Sequence, residues 1–186
     1  MKKIFRSLNL LHHCLTANHI DYAIIGGIAV AVWGEPRLTR DIDVKVLLSR
    51  DEAQMLLNAI KTDYEPFWDN PLEMLKKNGI LFVHDTYGVR IDLHLSDTMF
   101  DRKVIERAIE IEIEAGIRVK LCTAEDLIIY KMLSTRGSDA QDFEGIIDHL
   151  GEALDDKYVM DWLKQFETAL DDSTLINTYK RMRASK

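Results

Sequence analysis

Residues 41–48, Asp-Ile-Asp-Val-Lys-Val-Leu-Leu, alternate charged and apolar side chains at the period of a β-strand. Such a strand puts Asp41, Asp43 and Lys45 on one sheet face and Ile42, Val44 and Val46 on the other. The apolar face must be buried. The opposite face then carries two carboxylates roughly 7 Å apart at Cα, near enough for their side chains to converge on one ion. Residues 89–95 repeat the pattern, with Val89, Ile91, Leu93 and Leu95 alternating with Arg90, Asp92 and His94. If both strands belong to one sheet, Asp92 joins Asp41 and Asp43 in a cluster of three acids. Packed carboxylates repel, so the cluster calls for divalent cations, and an all-oxygen donor set favours Mg2+ or Mn2+ over zinc.

The rest of the chain supplies the elements around these strands. Residues 3–18 form an amphipathic helix with Ile4, Leu8, Leu11 and Leu15 on one stripe. Tyr22 to Ile25 is a short apolar strand, broken by Gly26-Gly27 and followed by a short helix from Ile28 to Trp33. Ser49 and Glu52 make a capping box for a helix from about 50 to 61. In residues 63–78, Pro66 and Pro71 indicate a loop with one helical turn near 72–77. Strands at 80–83 and 89–95 flank a turn at Asp85-Thr86-Tyr87-Gly88; a helix from about 102 to 109 follows, then a hairpin of 111–114 and 117–121. From Thr123, which caps a helix to about Ser134, the pattern is helical: 138–150, 156–170 and 173–182. The fold class is α+β, with a core of residues 1–122 and a helical subdomain of 123–186 packed against it.

With 186 residues the chain is long enough for one well-packed domain with a helical appendage. A net charge of -7 excludes a protein that binds nucleic acid through its overall field, so any RNA substrate would need a local basic patch. Cys14 and Cys122 show no metal-ligand spacing and read as two reduced, buried thiols. No stretch approaches the length of a membrane span, and the expected location is the cytoplasm, with no membrane partner. Trp33, Trp68 and Trp162 read as packing residues, His94 as a neighbour of the acids, and Lys45 as either neutralising them or solvated.

A strand that ends in Gly26-Gly27 and runs into a helix leaves free backbone N–H groups at a helix N-terminus, a natural seat for phosphate. Ile25-Gly26-Gly27, thirteen further residues, and Asp41-Ile42-Asp43-Val44 together resemble the signature of the DNA polymerase β-like nucleotidyltransferase superfamily. The longer string from Gly26 to Asp43, with Arg37 and Thr39 before the acids, is similar to the branch of AbiEii-type toxins and small bacterial relatives. Glu125-Asp126-Leu127 to Lys131, then Arg136, Asp139 and Asp142, resembles that branch's downstream helical motif.

The resemblance implies a nucleotidyltransferase fold, a mixed sheet flanked by helices, with a helical bundle closing one side of a cleft. It implies that Asp41, Asp43 and Asp92 ligate Mg2+, and that Asp92 helps deprotonate the acceptor. It further implies that Gly26, Gly27, Arg37, Thr39 and Lys131 hold the NTP. The expected reaction moves a nucleoside monophosphate from an NTP to a hydroxyl of tRNA or other RNA, a protein or a small molecule. A toxin–antitoxin or phage-defence setting, with a cognate antitoxin as partner, belongs to the same expectation. The alternative is an inactive nucleotide-binding or protein-interaction module of the same fold.

Overall fold

The computed structural model describes residues 2–36, 38–134 and 138–184, with the backbone alone over 138–140. The chain divides into two compact units, Met1–Ile28 with Leu38–Cys122, and Ala29–Arg37 with Thr123–Lys186.

The first unit carries strands β1 (Tyr22–Ile25), β2 (Asp41–Val46), β3 (Tyr64–Pro66), β4 (Ile80–Asp85), β5 (Arg90–Leu95), β6 (Ile109–Glu114) and β7 (Ile117–Leu121). They form one mixed sheet in the order β3-β4-β5-β2-β1-β7-β6. β2 runs parallel to β5, and β1 parallel to β7; the other neighbours are antiparallel. β2 is the central strand, so its apolar side chains Ile42, Val44 and Val46 are wholly buried. Ile91 and Leu93 of β5 and Leu81 and Val83 of β4 extend that core at 0% exposure. Each such side chain contributes about 1.5–3 kcal/mol on burial, which fixes the strand faces.

Helices α1 (Lys2–Ala17), α2 (Gly26–Trp33), α3 (Ala53–Ile60), α4 (Pro71–Asn78) and α5 (Met99–Arg107) interleave with the strands. α3 packs against α1 and α4, which themselves lie on the sheet, while α5 meets β1 and β2. Several boundaries differ from the sequence reading. α2 starts at the glycines themselves rather than at Ile28. Residues 63–78 hold the edge strand β3 and a full helix α4, with Pro71 in its first turn and Gly79 closing it in a left-handed conformation. α5 begins at Met99 because Thr98 caps it: Thr98 Oγ1 accepts the Asp101 N–H at 3.0 Å, and Asp101 accepts the Thr98 N–H at 3.1 Å. Ile109 opens β6 instead of ending that helix, since it pairs with Leu121. Neither Cys14 nor Cys122 forms a disulfide. Cys14 donates to the Ala59 carbonyl, and burial, with Asp63 nearby, pushes its pKa up to about 11.

The second unit contains α6 (Ala124–Leu133), α7 (Ser138–Leu150), α8 (Asp156–Leu170) and α9 (Leu175–Ala184). Thr123 caps α6 through the Asp126 N–H, and Asp126 in turn accepts the Tyr158 hydroxyl at 2.6 Å. Among the described residues no helix is long and apolar enough to cross a membrane. α9 is tied to α8 by Asp156, which accepts two hydrogen bonds from Arg183, at 2.8 and 2.9 Å, and one from the Tyr179 hydroxyl. Burial opposes ionisation of Asp156, but the Arg183 and Tyr179 bonds outweigh it and hold the pKa below the ordinary value. A depressed carboxylate stabilises the fold above its unfolded pKa, and that contribution vanishes as pH falls through the folded one. Protection of the α9 amides, relative to their intrinsic exchange rate at each pH, should therefore fall below about pH 4, the ordinary Asp range. In Asp156→Asn the same amides should already exchange faster at neutral pH and lose the acid step.

Candidate active site

The parallel pairing of β2 with β5 sets Asp41 opposite Arg90, Asp43 opposite Asp92 and Lys45 opposite His94. Residues directly opposed on neighbouring strands share a face, so the carboxylates of Asp41, Asp43 and Asp92 project from the same side of the sheet. The other side pins the register: Ile42 faces Ile91, Val44 faces Leu93 and Val46 faces Leu95, all buried. A slip of one residue would drive the acids into that core.

β1 pairs antiparallel with β2 and places Ile25 opposite Asp43, so Gly26 comes next, beside the carboxylate. Gly26 has φ +60°, and a Cβ there would lie 2.0 Å from Asp43 Oδ2 and 2.9 Å from Asp43 Cβ. The close approach requires glycine. Gly26 and Gly27 form the first turn of α2, where N–H groups have no carbonyl within the helix and the dipole favours an anion. A Cβ on Gly27 would meet Thr39 Oγ1 at 2.7 Å. Thr39 in turn donates to Asp41 Oδ1 at 3.1 Å and aims that side chain. Lys45 pairs with Asp101 of α5 at 2.7 Å.

Sequence reasoning passed over Arg90. It lies two residues before Asp92 on the same strand face and donates to both carboxylate oxygens, Nε to Oδ1 at 2.7 Å and Nη2 to Oδ2 at 2.9 Å. The guanidinium also lies over the Phe82 ring, 4.3 Å from its centroid. Its hydrogen bond to Asp92, followed by the charges of Asp92, Asp41 and Asp43, outweighs the burial that opposes it and raises its pKa. Arg90 thus serves as the counter-charge of the three acids. With Asp92 turned to Arg90 and Asp41 to Thr39, no group of three or more His, Cys, Asp or Glu side chains is poised around one ion among the described residues. Asp92 is only 8% exposed, so Arg90→Ala would strip a nearly buried carboxylate of a charged partner. The exposed end of the pair limits the expected loss to about 1–2 kcal/mol, or roughly 2–8 °C in melting temperature. Added Mg2+ should recover part of it; thermal melts with and without Mg2+ check this.

Residues 4–182 match the profile of a family described as nucleotidyl transferase of unknown function (DUF2204). The chain belongs to that family. No curated protein matches it in sequence. Solved structures share the fold. An antigenic nucleotidyltransferase-like protein from Paracoccidioides brasiliensis aligns with a TM-score of 0.55 at 18% identity, over 94% of this chain and 96% of its own. The antibiotic-resistance factor ANT(2'')-Ia aligns at 0.57 and 13% identity, over 91% and 95% of the two chains. The lincosamide adenylyltransferase LnuA, solved with lincomycin bound, aligns at 0.52 and 13% identity, over 78% and 94%.

Lys131 lies in the second unit, where it donates to Asp142 Oδ2 at 2.8 Å and both side chains are largely buried. Arg37, Arg136 and the Asp139 side chain lie outside the described residues. A cavity of about 710 Å³ opens in the second unit beside Asp156, Met160, Tyr179 and Arg183. The Asp156–Arg183–Tyr179 bonds already engage much of its polar lining.

Proposed function

We propose that this protein transfers a nucleoside monophosphate from an NTP, ATP among the candidates, to a hydroxyl acceptor and releases pyrophosphate. One observation carries the reading: Asp43 and Asp92 stand directly opposed on one sheet face, and Gly26 leaves room for the Asp43 carboxylate at the start of α2.

The donor chemistry suits a hard divalent cation, because Asp41, Asp43 and Asp92 offer only oxygens from one sheet face; to reach a shared ion, Asp92 would turn from Arg90 and Asp41 from Thr39. These three residues would hold Mg2+, or Mn2+ in its place. A divalent cation held there would supply charge neutralisation for an in-line displacement at phosphorus. The chain's own groups do the rest. The N–H groups at Gly26 and Gly27, at the head of α2, bind the polyphosphate. Thr39 keeps Asp41 oriented. Asp92, once released by Arg90, accepts the proton of the attacking hydroxyl.

The test is incubation with each α-labelled NTP and Mg2+ against tRNA, the protein itself and small hydroxylated compounds. LnuA, bound to lincomycin, and ANT(2'')-Ia justify the small-molecule arm. Label in any acceptor supports the reading. NTP bound tightly with no label moved identifies an inactive nucleotide-binding module. The AbiEii-like string adds a toxin–antitoxin setting to the proposal, which expression with and without the neighbouring gene product tests by growth arrest.

A further inference from the structure

Across the sheet, the direction that runs from the glycine turn to the acids leads on to a patch of rings. Phe82 stands opposite Asp92 and His84 opposite Arg90 in the antiparallel β4–β5 pair, so both share the face of the carboxylates. The chain leaves β3 through Phe67 and Trp68, and the Phe67 N–H donates to the Phe82 carbonyl at 3.0 Å. Trp68 lies 5.1 Å from the Phe82 ring at 37°, Phe67 lies 4.4 Å from His84 at 37°, and Phe67 meets Phe82 edge-on at 6.3 Å. Rings gathered in this number normally belong to a core. Here the core is on the opposite face, with Leu81 and Val83 at 0% exposure, whereas Phe67 remains 42% exposed.

In-line displacement puts the attacking hydroxyl opposite the leaving pyrophosphate. With the polyphosphate at Gly26 and Gly27, beyond the end of β1, the acceptor must approach from the far side of Asp92, over β5 and β4. That is where the rings lie. Neighbouring strands are about 4.8 Å apart, so a compound stacked on this patch holds a nearby hydroxyl within one or two strand spacings of Asp92.

We infer that Phe67 and Trp68, backed by Phe82 beneath the Arg90 guanidinium, form the acceptor subsite, and that the acceptor is a small hydroxyl compound with a flat ring that stacks on them. The inference rests on the transferase reading given under Proposed function. Charge argues for a small molecule over RNA. The chain carries a net charge of -7, Glu65 stands opposite His84 at the patch, and Arg90 is already bonded to Asp92. A polyphosphate backbone would be repelled there, whereas a single ring binds without regard to that field.

The test isolates Trp68 as reporter in a Trp33→Phe/Trp162→Phe background, since the chain has three tryptophans. Phenyl β-D-glucopyranoside and methyl β-D-glucopyranoside serve as probes; they share the sugar hydroxyls and differ in the ring. The phenyl compound should shift Trp68 emission with a Kd at least tenfold below that of the methyl compound. Phe82→Ala and the more exposed Phe67→Ala should each erode that ratio, and saturating Mg-ATP should leave it unchanged. Equal affinity of the two glycosides, displacement of the phenyl compound by Mg-ATP, or tighter binding of an oligoadenylate overturns the inference. The two readings fail separately: NTP transfer without ring preference removes only the subsite, and ring preference without transfer to any acceptor removes the enzyme.

Discussion

Asp43→Asn should keep the fold and lose the reaction. The side chain is nearly isosteric and only half-buried, and one negative charge leaves a face that also carries Asp41 and Asp92. Relief of like-charge repulsion offsets any hydrogen bond lost, so the melting temperature should stay within about 3 °C, less than roughly 1 kcal/mol for a chain of this size. Transfer is another matter. A neutral amide binds a hard cation poorly, and the charge stabilisation supplied at such a site is several kcal/mol. A loss of ~4 kcal/mol corresponds to about a thousandfold in rate. Binding of Mn2+ followed by its relaxation signal should weaken in parallel, which separates a metal-holding role from a purely structural one. Wild-type transfer rates in this variant would remove Asp43 from the mechanism.

How much of this was legible beforehand depends on whether the signal is local. The shared face of Asp41, Asp43 and Asp92 was readable because a strand's period is two and each acid has apolar neighbours on both sides. The start of α6 was readable because Thr123 and Asp126 are a local cap. The helix start at Thr98 was missed although the same Thr-x-x-Asp device operates there. β3 was hidden for a different reason. It has three residues and ends in Pro66, and only its pairing with β4 across the sheet makes it a strand. Arg90 lay on the face already assigned to Asp92, yet its role comes from a bidentate bond and a ring contact with Phe82, which is a tertiary neighbour. The placement of Ala29–Arg37 with the C-terminal helices likewise has no sequential signature.

Gly26→Ala should damage fold and function together, and this distinguishes it from the charge substitution. Alanine at φ +60° costs about 1–2 kcal/mol by itself. The new methyl would also stand 2.0 Å from Asp43 Oδ2, 2.7 Å from Cγ and 2.9 Å from Cβ. Rotating the carboxylate relieves the first two contacts but not the third, because Cβ is fixed by the β2 backbone. Ile25 is paired with Asp43 across the ladder, so the strain cannot be absorbed by moving one strand alone. The expected loss is roughly 2–4 kcal/mol, or about 4–16 °C in melting temperature. Transfer should fall at least a hundredfold even where the protein remains folded, since the Asp43 carboxylate and the N–H groups at the head of α2 are displaced from each other. A Gly26→Ala protein that melts and reacts like wild type would mean that the glycine turn and Asp43 do not meet as described.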